Sequence, residues 1–239
     1  MSCDIITVIM TNPALLIIAG VGPGNPELVT LEALREAESS DIIIAPRSRP
    51  GEIGIAEGIM LHHFPQRLIT PVYFPMTKDP ARRDSIILSQ VAAMKEELQG
   101  RRIFFPVIGD SVLYSTGVYF LGAMREIMTA DVKFIPGISA HSLASSCAKR
   151  FLAMSDEILA IIPGTADPEK IAAALRHSDS AAIYKPSAIQ NIRGIIAGEN
   201  FRQIIRVDYA GIPGREKIYE GLSALDDAGE YLSVILLHR

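Results

Sequence analysis

Apolar residues in this chain alternate between two patterns. Short unbroken runs are separated by longer stretches in which apolar positions return every three or four residues. Ala14-Leu15-Leu16-Ile17-Ile18-Ala19 is a run of strand length, and Gly20-Val21-Gly22-Pro23-Gly24-Asn25-Pro26-Glu27 follows it as a turn. Three glycines in five positions let that turn bend tightly and admit a close neighbour, while Pro23 stiffens it and removes one N–H donor. Thr30 then predicts a helix cap, with Leu31, Leu34 and Ala37 at helical spacing and an end near Ser39-Ser40. Asp41-Ile42-Ile43-Ile44-Ala45-Pro46 predicts a strand buried on both faces. Strand, helix, strand in about thirty residues is a βαβ unit, and it implies a parallel sheet.

The same alternation continues. Residues 51–58 predict a short helix, residues 68–73 a third strand that Pro71 confines to an edge, and Asp79-Pro80 the start of a helix carrying Ile87, Val91, Met94 and Leu98 up to Gly100. Strands follow at 102–108 and 132–135, with helices over 114–128 and 140–149. Five more strands are expected at 158–162, 181–184, 203–207, 216–219 and 232–237, with helices begun by Asp167-Pro168 and by Ser187. The turn Gly211-Ile212-Pro213-Gly214 leaves no room for a crossover helix, so its flanking strands should be antiparallel. The expected fold is therefore two α/β domains, residues 1–138 with a mainly parallel five-stranded sheet and residues 139–239 with a mixed five-stranded sheet, with a cleft between them.

Composition narrows the function classes. No apolar run approaches the ~20 residues of a membrane span. Met1 to Pro13 lack the basic start and small-residue cleavage site of a signal peptide, and Met10 offers a second start. Two cysteines, Cys3 and Cys147, exclude a disulfide framework and point to a reducing cytoplasm. The five histidines, His62, His63, His141, His177 and His238, lack metal-ligand spacing, so no protein-held metal is expected. A formal charge of −4 gives no reason to expect nucleic-acid binding.

In open α/β sheets ligands bind beyond the carboxyl ends of the strands. Three such ends carry special residues here: residues 20–24, Gly109-Asp110, and Pro136-Gly137-Ile138-Ser139. The first lacks the G-x-G-x-x-G spacing of a dinucleotide site, and its proline removes a donor where a pyrophosphate would need one. The phosphate-loop pattern is absent, and Ser115 and His141 stand in no nucleophile-elbow context. Residue chemistry alone supports a two-domain α/β protein with a glycine-lined cleft and stops short of a reaction.

The stretch from Gly20 to Leu31 resembles the opening signature of the tetrapyrrole methylase family. Gly109-Asp110 through Tyr114-Ser115-Thr116 resembles its second signature, and Ile135-Pro136-Gly137-Ile138-Ser139-Ala140 its third. Phe74-Pro75-Met76-Thr77, Leu113-Tyr114-Ser115-Thr116 and Tyr231-Leu232-Ser233-Val234-Ile235 are most similar to the precorrin-2 / cobalt-factor II C20-methyltransferases of cobalamin biosynthesis. Two departures stand out: Ser111 where these enzymes carry proline, and Tyr184-Lys185-Pro186 where many relatives place methionine beside the lysine.

The resemblance implies S-adenosylmethionine as methyl donor, a reduced tetrapyrrole as acceptor, no protein-bound metal, and a homodimer. It implies donor contacts from Ile108, Gly109, Asp110, Leu113, Ser139, Ala140, Tyr184, Tyr209, Ala210 and Gly211. Gly22, Pro23 and Gly24 would line the acceptor trough, with Tyr114 nearby and Arg47 and Arg49 meeting the acceptor's carboxylates. Asp110 is the candidate catalytic carboxylate, or else a turn-stabilising residue that bonds its own backbone. The competing functions are another tetrapyrrole methylation, such as that of uroporphyrinogen III, and a catalytically silent α/β binding module.

Overall fold

The computed structural model describes residues 13–226 and 229–239; Cys3 and Met10 lie outside them. By its internal contacts the chain divides into two compact units. One comprises the described part of Met1–Val21 with Val29–Gly137, the other Gly22–Leu28 with Ile138–Arg239.

The first unit contains β1 (Ala14–Gly20), α1 (Leu31–Ser39), β2 (Ile42–Arg47), α2 (Ile55–His63), β3 (Ile69–Tyr73), α3 (Pro80–Ala93), α4 (Lys95–Leu98), β4 (Arg102–Val107), α5 (Gly117–Ile127) and β5 (Ala130–Ile135). Its strands lie in the order β3-β2-β4-β1-β5, and every pairing is parallel. Both sheet faces are covered, which is why β1 reads as an unbroken apolar run. Leu16 and Ile18 pack with Ile87 and Val91 of α3 and Phe120 of α5. The intervening Ile17 and Ala19 pack with Ala33 and Ala37 of α1 and Ile59 and Met60 of α2. In β4, Phe105 stacks on Phe120 with ring centroids 4.4 Å apart, while Phe104 faces the opposite cluster.

From β1 the chain crosses to β2 over one face, and from β4 it crosses to β5 over the other. The neighbours β1 and β4 therefore send their crossovers in opposite directions, and their carboxyl ends form the topological switch point of the sheet, where such folds bind ligands.

The second unit contains α6 (Ala140–Ala148), β6 (Leu159–Pro163), α7 (Pro168–Arg176), β7 (Ser180–Tyr184), α8 (Ile192–Ala197), β8 (Gln203–Asp208), β9 (Lys217–Glu220) and β10 (Ser233–His238). Its sheet runs β6-β7-β10-β8-β9. The β6–β7 pair is parallel and the other pairs are antiparallel, so the sheet is mixed and the Gly211–Gly214 turn joins antiparallel strands, as expected.

Four local expectations are corrected. The helix expected at 51–58 begins at Ile55 and runs to His63, because Gly54 is its N-cap and the Glu57 carboxylate accepts the Gly54 N–H at 3.2 Å. The helix expected to continue to Leu98 breaks at Met94; the apolar spacing persists across the break and conceals it. The helix expected from Tyr114 begins at Gly117, because Tyr114 takes the left-handed conformation at φ 50° and Ser115 Oγ accepts the Gly117 N–H at 3.0 Å. No helix starts at Ser187. A short 3-10 turn spans Pro186–Ala188, and α8 starts after Asn191, whose side chain accepts the Gly194 N–H. Elsewhere the sequence signals hold: Thr30 accepts the Ala33 N–H, and Asp79 the Arg82 N–H.

One buried charge pair anchors the second unit. Arg206 and Asp208 alternate along β8, their side chains are each 2% exposed, and Arg206 Nε lies 3.1 Å from Asp208 Oδ1. The guanidinium donates to the Ala224 carbonyl at 2.9 Å and lies over the Tyr219 ring. Removing one partner of such a pair strands a buried charge, which costs about 3–5 kcal/mol. Asp208→Ala is therefore expected to lower unfolding stability by that order in urea titration. A loss near zero would show that the pair contributes little.

Candidate functional site

The turns after β1, β4 and β5 meet backbone to backbone within the first unit. A Cβ built on Gly20 would stand 2.5 Å from the Gly109 carbonyl oxygen and 2.7 Å from the Gly137 nitrogen. One built on Gly137 would stand 2.6 Å from the Gly20 carbonyl carbon. Real Cβ atoms do not approach so closely, so both positions require glycine for space. Gly109 requires it for conformation, at φ 75°. The Val21 N–H donates to the Val107 carbonyl at 2.9 Å, continuing the β1–β4 ladder into the junction.

The side chain of Asp110 locks this contact. Its Oδ1 accepts the Val112 N–H at 2.9 Å and the Leu113 N–H at 3.2 Å, and its Oδ2 accepts the Gly137 N–H at 3.0 Å. One carboxylate therefore folds the β4 turn and ties it to the β5 turn, which is turn-stabilising work. Beside it the Ser111 hydroxyl is buried without a hydrogen-bond partner. Ile108, Val112 and Tyr114 expose 36%, 70% and 45% of their surfaces along the same turn, offering an apolar strip beside backbone polar groups. Burial pushes the Tyr114 phenol above its ordinary value.

The arginines proposed for the acceptor lie elsewhere on the first unit. Arg47 ends β2 and is held by Glu57 of α2 through two hydrogen bonds, Nε to Oε2 at 2.6 Å and Nη2 to Oε1 at 2.5 Å. Glu57 is 3% exposed, and its hydrogen bonds hold the Arg47 guanidinium above its ordinary value. This fork pins the start of α2 to the end of β2, so the guanidinium is engaged within the fold. Arg49 is exposed and 3.4 Å from Glu52.

The remaining candidates belong to the second unit. Gly22 and Gly24 take positive φ at 77° and 152°, and a Cβ on Gly24 would lie 2.5 Å from the Ile212 side chain; Pro23 stands between them. Ser139 is the N-cap of α6 and Ala140 its first residue. The next residue, His141, donates its backbone N–H to the Tyr184 hydroxyl at 3.3 Å, and its Nδ1 lies 2.7 Å from the same oxygen. Tyr209, at φ 50°, donates its hydroxyl to Glu230 at 3.1 Å and lies under the Arg215 guanidinium at 3.7 Å. Burial and the Glu230 hydrogen bond push its phenol up. Ala210 is buried. The Gly211 N–H donates to Glu216 Oε2 at 2.8 Å, and the Cys147 thiol donates to the same oxygen at 3.0 Å.

Sequence reasoning missed His141, Glu57 and Glu216. Glu57 carried a usable signal, since an acidic residue three positions after a cap is a capping pattern. Glu216 meets Gly211 five residues away within the β8–β9 turn and Cys147 by packing, and His141 meets Tyr184 only through tertiary packing. Among the described residues no group of three or more His, Cys, Asp or Glu side chains is arranged to hold a metal, and no helix is long and apolar enough to cross a membrane.

Two outcomes follow from these bonds. Asp110→Ala leaves three N–H groups without their acceptor, so stability should fall by about 2 kcal/mol or more. Amide exchange should then quicken at Val112, Leu113 and Gly137 together; faster exchange at 112 and 113 alone would deny the tie between the turns. Burial, then the Glu216 carboxylate, pushes the Cys147 thiol up to about 11, which leaves about a hundredfold less thiolate at pH 8 than an ordinary cysteine has. Alkylation of the Cys147 peptide should be correspondingly slow at pH 8 and faster in Glu216→Gln. Equal rates in the two proteins would contradict the assigned role of Glu216.

A family model described as Tetrapyrrole (Corrin/Porphyrin) Methylases matches residues 15–225. The cobalt-precorrin-2 C(20)-methyltransferase of Salmonella typhimurium is 29% identical over 224 residues, covering 91% of this chain and 93% of that protein. The precorrin-2 C(20)-methyltransferase of Sinorhizobium sp is 28% identical over 241 residues, covering 93% and 94%. Among solved structures, the uroporphyrin-III-C-methyltransferase from Thermus thermophilus shares the fold at TM-score 0.66 and 20% identity, covering 94% of each chain. A putative cobalamin synthesis related protein from Corynebacterium diphtheriae does so at TM-score 0.72 and 20% identity, covering 95% and 98%. With the family model spanning both units and all three turns, the chain belongs to the tetrapyrrole methylase family.

Proposed function

We propose that this chain transfers the methyl group of S-adenosylmethionine to C20 of precorrin-2 or cobalt-factor II in cobalamin biosynthesis. The observation that carries this reading is end-to-end correspondence with two C20-methyltransferases, each covered over more than nine-tenths of its length. Solved relatives at 20% identity support the fold alone.

The residues present suit such a donor. Ile108, Val112 and Tyr114 offer apolar surface beside the backbone groups of Gly109 and Leu113, a combination fitted to an adenosyl group with a methionine chain. Ser139, Ala140, Tyr184, Tyr209, Ala210 and Gly211 are the proposed donor contacts of the second unit. Gly22, Pro23, Gly24 and Tyr114 are proposed for the acceptor. Arg49, exposed and only loosely paired with Glu52, suits an acceptor carboxylate better than Arg47, whose guanidinium serves Glu57.

The chemistry asks little of side chains. The sulfonium is an activated donor and the reduced macrocycle is an electron-rich carbon nucleophile. C20 attacks the methyl carbon in line, the carbon–sulfur bond breaks, S-adenosylhomocysteine departs, and the C20 proton is then lost. The protein supplies alignment and exclusion of water. Asp110, with three backbone N–H groups on its carboxylate, serves this reaction by holding the turns in place and not as a base. A homodimer in a reducing cytoplasm is proposed on the family resemblance and the scarcity of cysteine.

The test is anaerobic incubation with S-adenosylmethionine and a panel of acceptors, reading product mass and methyl position. The expected product is a single methylation at C20 of precorrin-2 or cobalt-factor II. Methylation of uroporphyrinogen III without either of these would overturn the assignment.

A further inference from the structure

We infer that Tyr184 is a positioning residue for the methyl donor: its hydroxyl, held with His141, fixes the first turn of α6 and so places the backbone of Ser139 and Ala140. The inference rests on the donor-site reading above. It adds a role for the Tyr184 hydroxyl to the donor contact expected of this residue.

Two bonds converge on one atom. The Tyr184 hydroxyl oxygen accepts the backbone N–H of His141 at 3.3 Å, and the His141 imidazole Nδ1 lies 2.7 Å from it. The rings meet edge to face with centroids 5.9 Å apart. The His141 N–H lies in the first turn of α6, where N–H groups have no partner within the helix. The N-cap Ser139 does not satisfy these groups with its own side chain, so a residue from another strand does the capping. That strand end is itself fixed. The Tyr184 carbonyl accepts the Gly164 N–H at 2.7 Å. A Cβ on Gly164 would lie 2.8 Å from the Tyr184 carbonyl oxygen, so β6 and β7 close together just where Tyr184 leaves the sheet. Lys185 follows at φ 52°, which turns the chain away and leaves the phenol reaching for α6.

Ordinary packing would use a phenylalanine at 184 and an apolar residue at 141. Here both positions carry polar groups spent on each other, and the backbone they anchor begins with the two residues proposed to meet the donor. Loss of the bracket should therefore loosen donor binding more than it slows transfer from bound donor.

The experiment compares Tyr184→Phe, His141→Phe and His141→Asn with the unmodified protein. Asn places a hydrogen-bonding group where Nδ1 stands and suits either direction of the bond. Calorimetry with S-adenosylhomocysteine gives Kd, turnover of the C20 acceptor gives KM for S-adenosylmethionine and kcat separately, and thermal unfolding checks the fold. His141→Phe should raise Kd and KM about five- to tenfold, the loss of one hydrogen bond, and Tyr184→Phe, which removes both bonds, at least as much, with kcat within about twofold in each. His141→Asn should recover most of the affinity, and the double Phe variant should be no weaker than Tyr184→Phe alone. Equal Kd in all variants, or a fall in kcat at unchanged KM, would overturn the inference. If Tyr184→Phe unfolds, the His141→Asn and His141→Phe pair still decides, since equal affinity in those two overturns it. Absence of heat with the unmodified protein would instead reject the donor-site reading on which the inference rests.

Discussion

Three backbone segments from the ends of β1, β4 and β5 approach within van der Waals contact at Gly20, Gly109 and Gly137, and much else in the first unit exists to permit that approach. The strands must be parallel, so that their carboxyl ends lie on one side. They must also be neighbours in the order β4-β1-β5, so that three turns crowd one edge. Two of the three positions must lack a side chain altogether, and the third must turn through positive φ. Asp110 then spends its whole carboxylate on the backbone to keep the β4 and β5 turns together. The result is an edge built from main chain, rigid without a large polar side-chain array.

That construction suits a reaction whose reagents already carry their reactivity. A sulfonium donor needs orientation and dryness, and main-chain groups on a close-packed sheet edge supply orientation at little entropic cost. The same logic explains the scarcity of unengaged ionisable side chains among the candidates. Asp110 is bonded to three amides, Glu216 to Gly211 and Cys147, and Arg47 to Glu57. In each case the charged group is engaged by partners within its own unit.

Most of the fold was legible because its signals are local. β1 and β4 are buried on both faces and so read as continuous apolar runs, and Thr30 and Asp79 cap the helices their positions predict. The misplacements have local causes of another kind. Tyr114 in the left-handed region delays α5, Gly54 moves the start of α2, and the unbroken apolar spacing hides the break at Met94. The candidate site was read from three unusual turns and a family resemblance. It was illegible wherever a role depends on a partner that only folding brings close: Arg47 read as a partner for the acceptor's carboxylates until Glu57 of α2 was placed beside it, and His141 had no signal until Tyr184 came from β7 to meet it.

The central claim is that these main-chain turns are where the methyl donor binds. Hydrogen-exchange mass spectrometry of the full chain with and without saturating S-adenosylhomocysteine tests it most directly. The account predicts slower exchange concentrated at residues 108–113 and 137–140. Binding that leaves those amides unchanged and protects a different part of the chain would contradict it.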